Sequence, residues 1–434
     1  MNTSIKGTMI GAATGALLAG GAVAQDQATL TFLYTDDNPQ AVERVRELTQ
    51  QFSDSHDDID IEFISTGYDA VMRQLPMQLA VGEGPDIAKV ADYTLGRYAL
   101  DLRPYLDDPE AFVDLYGADQ LSILRPDDRE GDAINGIIWT RTFNLPFVNE
   151  TLFQQAGVDL PQPGATLQEI VEASVEVAEA TGAQIPFTLD RSGHRMAGPL
   201  LSAGAEMIDE SGHYTFPDDA ARGVIEELYG YTQSGAFPPE MWGAAGGAAY
   251  KSMGEEFANA NAVTYLAGNW MVGNFADQIG DAFDWTAIQA PCGPAGCVAM
   301  PGGTAIIPFE HTDHPEAAAE FMTYLGSEEV QRKLAEEFIL IPGANIDGLE
   351  YQTDNSSVQD AMQVFNDNRE NVPPQALALN IAPGNTAFFN AIVQRMSQLI
   401  VGELSLEQTY TQLERDMADI NAELPGGEDA AAQD

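Results

Sequence analysis

Basic side chains are scarce in this 434-residue chain: 19 Lys and Arg stand against 67 Asp and Glu, a formal net charge of −48. Nucleic-acid binders neutralise phosphates with a basic face, so this shortage excludes nucleic acid as a partner. The acids are scattered through helices and turns rather than gathered, which reads as a solvated surface suited to a salty medium. An acidic site steering a cationic ligand is the sharper alternative, motivated by Asp36, Asp37 and Asp92 together. Histidine occurs only five times, and the chain has no His-Glu-x-x-His and no Gly-x-Ser-x-Gly. The Gly-rich run over 243–247 is not followed by Gly-Lys-Ser, so it is not a phosphate loop. No metal site and no cofactor are expected. Beyond the N-terminus, no apolar stretch is long enough to cross a bilayer.

What is present begins with an address. Lys6 gives a thin positive region, Ile10 to Ala19 is apolar but short, and Ala22-Val23-Ala24 is an A-x-A cleavage site. This reads as a Sec-type signal peptide cut after Ala24, with no following Cys to carry a lipid, and points to the periplasm. Cysteine is limited to Cys292 and Cys297 in Pro-Cys-Gly-Pro-Ala-Gly-Cys. Two ligands fall short of a metal site and the spacing is not that of thioredoxin; in an exported chain the pair suggests a disulfide. A loop this short contributes only about 2 kcal/mol on the chain-entropy estimate, enough to pin a local turn.

Length predicts two or three domains at about 150 residues each. Leu30, Phe32 and Tyr34 alternate as a strand, Asn38 and Pro39 start a helix carrying Val45, Leu48 and Phe52, and Ile59, Ile61 and Phe63 alternate again. That is a βαβ unit, with parallel strands and a right-handed crossover. The next helix (Val71, Leu75, Leu79) stops at Gly82-Glu-Gly-Pro85, and Ile87 to Ala91 reads as a strand ending in Asp92-Tyr93. In a parallel sheet those two residues lie at the carboxyl edge, where open α/β folds bind ligands. Gly136 to Asn149 is extended, Glu150 to Ala156 is a helix closed by Gly157, and Thr166-x-x-Glu169 is a capping box. Ala262 to Leu266 is a strand leading to Gly268-Asn269-Trp270, Trp285 to Ala290 another, and Gly302 to Pro308 a crossing strand. Helices start at Pro315 and Ser327, a last one runs from Ser405 to Ala422, and the acidic tail is expected to be disordered.

The order of these segments resembles the extracellular solute-binding proteins of ABC importers, family 1, which includes maltose-binding protein. The carrying stretches are Gly82-x-Gly-Pro-Asp86, Phe147-Val-Asn149-Glu-x-Leu-Phe-x-x-Ala-Gly157, Gly268-x-Trp270, the Gly302-Gly303 strand, and Phe321-x-x-Tyr-Leu-x-Ser-x-Glu-x-Gln331 running to Ile341-Pro342. The resemblance implies an α/β, two-lobed periplasmic binding protein fold, type II-like, with the ligand cleft between lobes joined by hinge crossings. Crossings near Thr140, Gly303 and Asp354 would give lobe one as 25–140 plus 304–354, and lobe two as 141–303 plus 355–425. They leave 1–24 as signal peptide and 426–434 as tail. The implied function is non-catalytic: a monomer that binds a mono- or oligosaccharide and delivers it to ABC permease subunits in the inner membrane. A polyamine or compatible solute on the same fold is the alternative. A secreted glycoside hydrolase, which needs two carboxylates about 5 or about 6.5–9.5 Å apart, is a distant third.

A sugar offers apolar C–H faces and a rim of hydroxyls, so its site needs aromatic rings and Asp, Asn, Arg or backbone groups. Mapped segment by segment, the resemblance gives Tyr34, Asp36 and Asp37 after the first strand and Asp92 and Tyr93 after the third. Arg141, Thr142 and Asn144 lie beside the first crossing, and Trp270 supplies a ring from lobe two; Trp242, outside this mapping, is a further candidate ring. Gly302 and Gly303 bring backbone close, and Asn385 and Phe389 come from the C-terminal part.

Overall fold

Alternating apolar residues build the first half of the sheet. β1 (Ala28–Tyr34) buries Leu30, Phe32 and Tyr34 in one core and pairs in parallel with β2 (Ile59–Ser65), Leu30 opposite Ile61 and Tyr34 opposite Ser65. β3 (Ile87–Val90) lies on the other side of β1, also parallel, with Phe32 opposite Ile87. The helix Pro39–Ser55 connects β1 to β2 and starts where Asn38 accepts the amides of Gln40 and Ala41. After the helix Tyr68–Leu79, Gly82 and Gly84 turn the chain with φ of +72° and +120°, a region open to glycine at little cost. The computed structural model describes residues 27–36, 38–125, 131–189, 191–242, 252–368 and 372–424. The expected signal peptide, Asp37 and the acidic tail at 426–434 lie outside the described residues.

The sheet continues through β4 (Ile137–Asn149), β5 (Ile185–Leu189), β6 (Ala262–Gly268) and β10 (Pro301–Pro308), in the order β2-β1-β3-β10-β4-β6-β5. β7 (Trp285–Ala287) and β11 (Ile341–Pro342) pair onto β4. The strand expected over Trp285 to Ala290 is thus shorter. β8 (Cys292–Gly293) and β9 (Gly296–Cys297) form a separate hairpin whose two cysteines are disulfide-bonded, with Cα atoms 4.0 Å apart.

Two lobes follow from where side chains are buried. Around the first half of the sheet, Phe32, Phe52 and Phe321 fill one face, and Leu33, Leu75, Leu79 and Ile307 the other. The second half has its own core around Phe147, whose ring lies 5.1, 5.9 and 5.5 Å from those of Phe275, Trp285 and Phe365. Truncating a phenylalanine so placed costs about 3–5 kcal/mol. β4 belongs to both: Ile137 and Trp139 join one face of the first lobe, Ile138 the other, and Phe143 to Val148 the second lobe. Such alternation is the two-residue period of a strand.

Among the described residues the chain passes between these two cores at three places. On β4 and β10, Thr140 stands opposite Thr304 with hydroxyl oxygens 2.8 Å apart, and the register shifts between Thr304 and Ala305. A bulge there bends the strand as it leaves one lobe for the other. β11 adds Ile341 and Pro342 opposite Arg141 and Thr140. A third passage runs between Gln352, whose amide donates to the Glu336 carbonyl in lobe one, and Asn355, which caps the helix Ser356–Asp367 and reaches Gly280 O in lobe two.

Candidate ligand-binding cleft

β1 and β3 are parallel, so their carboxyl ends share one edge. Asp36 lies just past β1, and Lys89 reaches up to it from the middle of β3: Nζ donates to Asp36 Oδ2 at 2.5 Å. The same ammonium lies 4.6 Å from the centroid of the Tyr34 ring. Lys89 is 5% exposed and Tyr34 2%. Burial alone depresses a lysine, yet its partners Tyr34 and Asp36 hold Lys89 above its ordinary pKa. Asp36 Oδ1 accepts the Asn38 amide at 3.0 Å, so the carboxylate is held from both oxygens. Trp139 meets the Tyr34 ring edge-on at 6.3 Å. Tyr34, expected to touch ligand, therefore lies beneath this wall and carries Lys89.

Asp92, expected as a ligand contact, is occupied as a cap. Its Oδ1 accepts the amide of Thr94 at 3.0 Å and the hydroxyl at 2.6 Å, starting the 3-10 turn Tyr93–Tyr98. Tyr93 turns inward to β10, where a β-carbon on Gly303 would fall 2.8 Å from the Tyr93 hydroxyl and 2.1 Å from the Thr140 carbonyl oxygen. With φ at +148°, Gly303 is a position that other residues rarely adopt. A β-carbon on Gly302 would fall 2.9 Å from Thr142 Oγ1 and 3.4 Å from His194 Cε1. The Gly302–Gly303 step is thus where Tyr93 of lobe one meets Thr142 and His194 of lobe two.

Lobe two supplies a wall of a different kind. The buried Asn144 amide donates to His194 Nδ1 at 2.9 Å, and Arg195 Nη1 donates to Asn144 Oδ1 at 3.2 Å. Arg195 in turn stacks 4.4 Å from the centroid of Trp270, whose indole lies across Gly268. Phe389 meets the His194 ring edge-on at 5.3 Å. Burial and the Arg195 charge push the imidazole down to about 3. His194 is therefore neutral at ordinary pH; with Nδ1 accepting, its hydrogen resides on Nε2.

Two expected contacts have other duties, and a third lies outside the described side chains. Arg141 Nε donates to the Pro342 carbonyl at 3.0 Å, fastening β4 to β11 at the hinge. Asn385 Nδ2 donates to the Asn380 carbonyl at 2.5 Å, fixing the bend between the helices Pro374–Ile381 and Asn385–Ile400. Trp242 ends the 3-10 turn Pro239–Trp242, and its side chain, like Asp37, lies outside the described residues.

Sequence reasoning missed Lys89, His194 and Arg195. Lys89 had a signal: it is the lone charge in the apolar run Ile87 to Ala91. For the other two, the signal was Ile185–Leu189 followed by Ser192-Gly-His, a strand and then a capped helix; Ser192 caps Gly193–Ser202 by accepting the His194 amide. Among the described residues no group of three or more His, Cys, Asp or Glu could hold a metal ion.

Comparison with known proteins agrees with this architecture. An arabinooligosaccharide-binding protein of Halalkalibacterium halodurans is 24% identical over 309 residues, 68% of this chain and 67% of the relative. An ABC substrate-binding protein of Listeria monocytogenes, solved in complex with cycloalternan, superposes with a TM-score of 0.75 at 15% identity, covering 91% of this chain and 98% of that one. The GacH receptor of Streptomyces glaucescens, solved unliganded and with acarbose, gives 0.72 at 20% identity, covering 92% and 100%. The profile of the bacterial extracellular solute-binding protein family matches residues 37–332. The chain therefore belongs to that family: it is an exported solute-binding protein, not an enzyme.

Proposed function

We propose that this protein is the soluble receptor of an ABC importer, enclosing a mono- or oligosaccharide between its lobes and handing it to a permease in the inner membrane. It acts in the periplasm as a monomer, after cleavage behind Ala24. Lobe one comprises 25–140 plus 304–354, and lobe two 141–303 plus 355–425. The observation that carries the reading is the junction at Gly302–Gly303, where groups from both lobes meet over bare backbone. At it stand hydroxyls (Tyr93, Thr142) and a neutral imidazole (His194); the Asn144 amide bonds to that imidazole, Arg195 links Asn144 to the Trp270 indole, and the Asp36 carboxylate stands past the end of β1. A ring face and a rim of mixed donors and acceptors are what a sugar's C–H faces and hydroxyls require. The ligands named for the relatives, arabinooligosaccharide, cycloalternan and acarbose, belong to the same chemistry.

Two of the three acids behind the cationic alternative are engaged, Asp36 by Lys89 and Asp92 in a cap. A panel of arabino- and malto-oligosaccharides, screened by thermal shift, tests the sugar reading. A sugar at 100 Kd is expected to add about 2.7 kcal/mol to stability. A panel without any shift, together with a non-sugar ligand in native mass spectrometry of freshly purified protein, would overturn it.

A further inference from the structure

We propose that Lys89 is a specificity-determining residue: it cancels the charge of Asp36, so that this carboxylate accepts hydroxyls from a neutral ligand and rejects cations. The hydroxyl half of this inference rests on the sugar reading; the charge half does not. Lys89 is buried in a strand otherwise made of Ile, Ala and Val, opposite Ile306 of the lobe-one core. Apolar packing alone gives no reason for an ammonium there, since a buried charge is costly unless paired. What it meets is Asp36 Oδ2 at 2.5 Å and the Tyr34 ring at 4.6 Å.

Asp36 itself stands at the boundary with water, its side chain 26% exposed, while its counter-ion lies beneath. Oδ1 is directed by the Asn38 amide and Oδ2 by Lys89. The carboxylate is thus fixed in orientation and locally neutralised. A hydroxyl finds remaining acceptor lone pairs, whereas an approaching ammonium meets a like charge directly behind the oxygen. Discrimination built from such a repulsive element needs no contact between Lys89 and the ligand, which makes Lys89 a positioning residue.

Spermidine is the cationic probe, and arabinotriose and maltotriose are the neutral ones, titrated calorimetrically at about 0.15 M salt to screen the acidic surface. The proteins are wild type, Lys89→Met, Lys89→Gln and the double variant Asp36→Asn/Lys89→Met, each checked for folding by circular dichroism. Both single variants are expected to bind spermidine at least about tenfold more tightly than wild type, and the double variant to lose that gain. Lys89→Gln keeps a donor for Asp36, so its affinity for a neutral sugar should fall less than that of Lys89→Met. A folded Lys89→Gln or Lys89→Met without a spermidine gain overturns the inference and leaves the sugar reading untouched. Wild type that binds spermidine through Asp36 overturns both. A gain in the single variants with no sugar bound by wild type supports the role of Lys89 and sinks the sugar reading.

Discussion

The two walls of the cleft solve one problem with different chemistry. Lobe one presents a charge pair, Lys89 with Asp36, set on the Tyr34 ring. Lobe two presents a chain of mostly neutral partners, Asn144 to His194 and Arg195, with the guanidinium stacked on Trp270. The first wall comes from two adjacent parallel strands, Asp36 just past β1 and Lys89 within β3; the second gathers side chains from β4, the turn after β6 and the helix Gly193–Ser202. On the proposed function, the wall of paired charges would orient hydroxyls and the wall with an indole would hold a ring face. A ligand held by both has to offer both surfaces.

The largest effect is expected from removing the floor the walls share. Gly303→Val places a side chain into the Thr140 carbonyl and the Tyr93 hydroxyl at a strained φ. It should abolish sugar binding and cost about 1–3 kcal/mol of stability, read by calorimetry and by denaturant unfolding. Next comes Trp270→Ala, which removes the ring from lobe two; affinity should fall about 30- to 100-fold, roughly 2–3 kcal/mol, with the fold retained. Asp36→Asn keeps an acceptor but leaves Lys89 without its counter-charge, so about tenfold weaker binding is expected together with a loss of stability.

A smaller effect separates the walls by pH. His194 is neutral in the folded protein, with its pKa near 3, and ordinary in the unfolded chain. Between those two values the unfolded state binds more protons, so this group makes stability fall as pH drops from about 6.5 toward 3. His194→Gln should flatten that part of the stability–pH curve, whereas Asp36→Asn should leave the His194 contribution in place. Reducing Cys292–Cys297, whose hairpin packs on the Ser202 end of the helix Gly193–Ser202, away from His194 at its start, should cost no more than about 2 kcal/mol and leave affinity unchanged.

The difference between the walls also decided what the sequence made legible. The βαβ unit, the Gly82–Gly84 turn, the Thr166–Glu169 capping box and the Gly302–Gly303 strand are local patterns, readable from period and cap chemistry. Tyr93 and Trp270 were legible as residues just beyond a strand, and Asn144 as a polar residue inside the extended run from Gly136 to Asn149. Asp92 was placed correctly on the edge, but its competing role as a cap is decided by a 2.6 Å contact that spacing alone does not fix. His194 and Arg195 escaped because their meaning lies in the distant partners Asn144 and Trp270. Lys89 was visible as a charge inside a strand, yet only the fold shows what it neutralises.

Closure on a sugar is the central claim, and a distance measurement addresses it most directly. The chain's two cysteines are bonded to each other, so labels can be introduced at Val81 on lobe one and Leu377 on lobe two, which are 70% and 42% exposed. With Val81→Cys and Leu377→Cys spin-labelled, double electron–electron resonance should report one interlobe distance distribution without ligand. Saturating oligosaccharide should replace it with a distinct second distribution, the change disappearing in Trp270→Ala. A sugar that raises the melting temperature but leaves the distribution unchanged would contradict closure of the two walls on a common ligand.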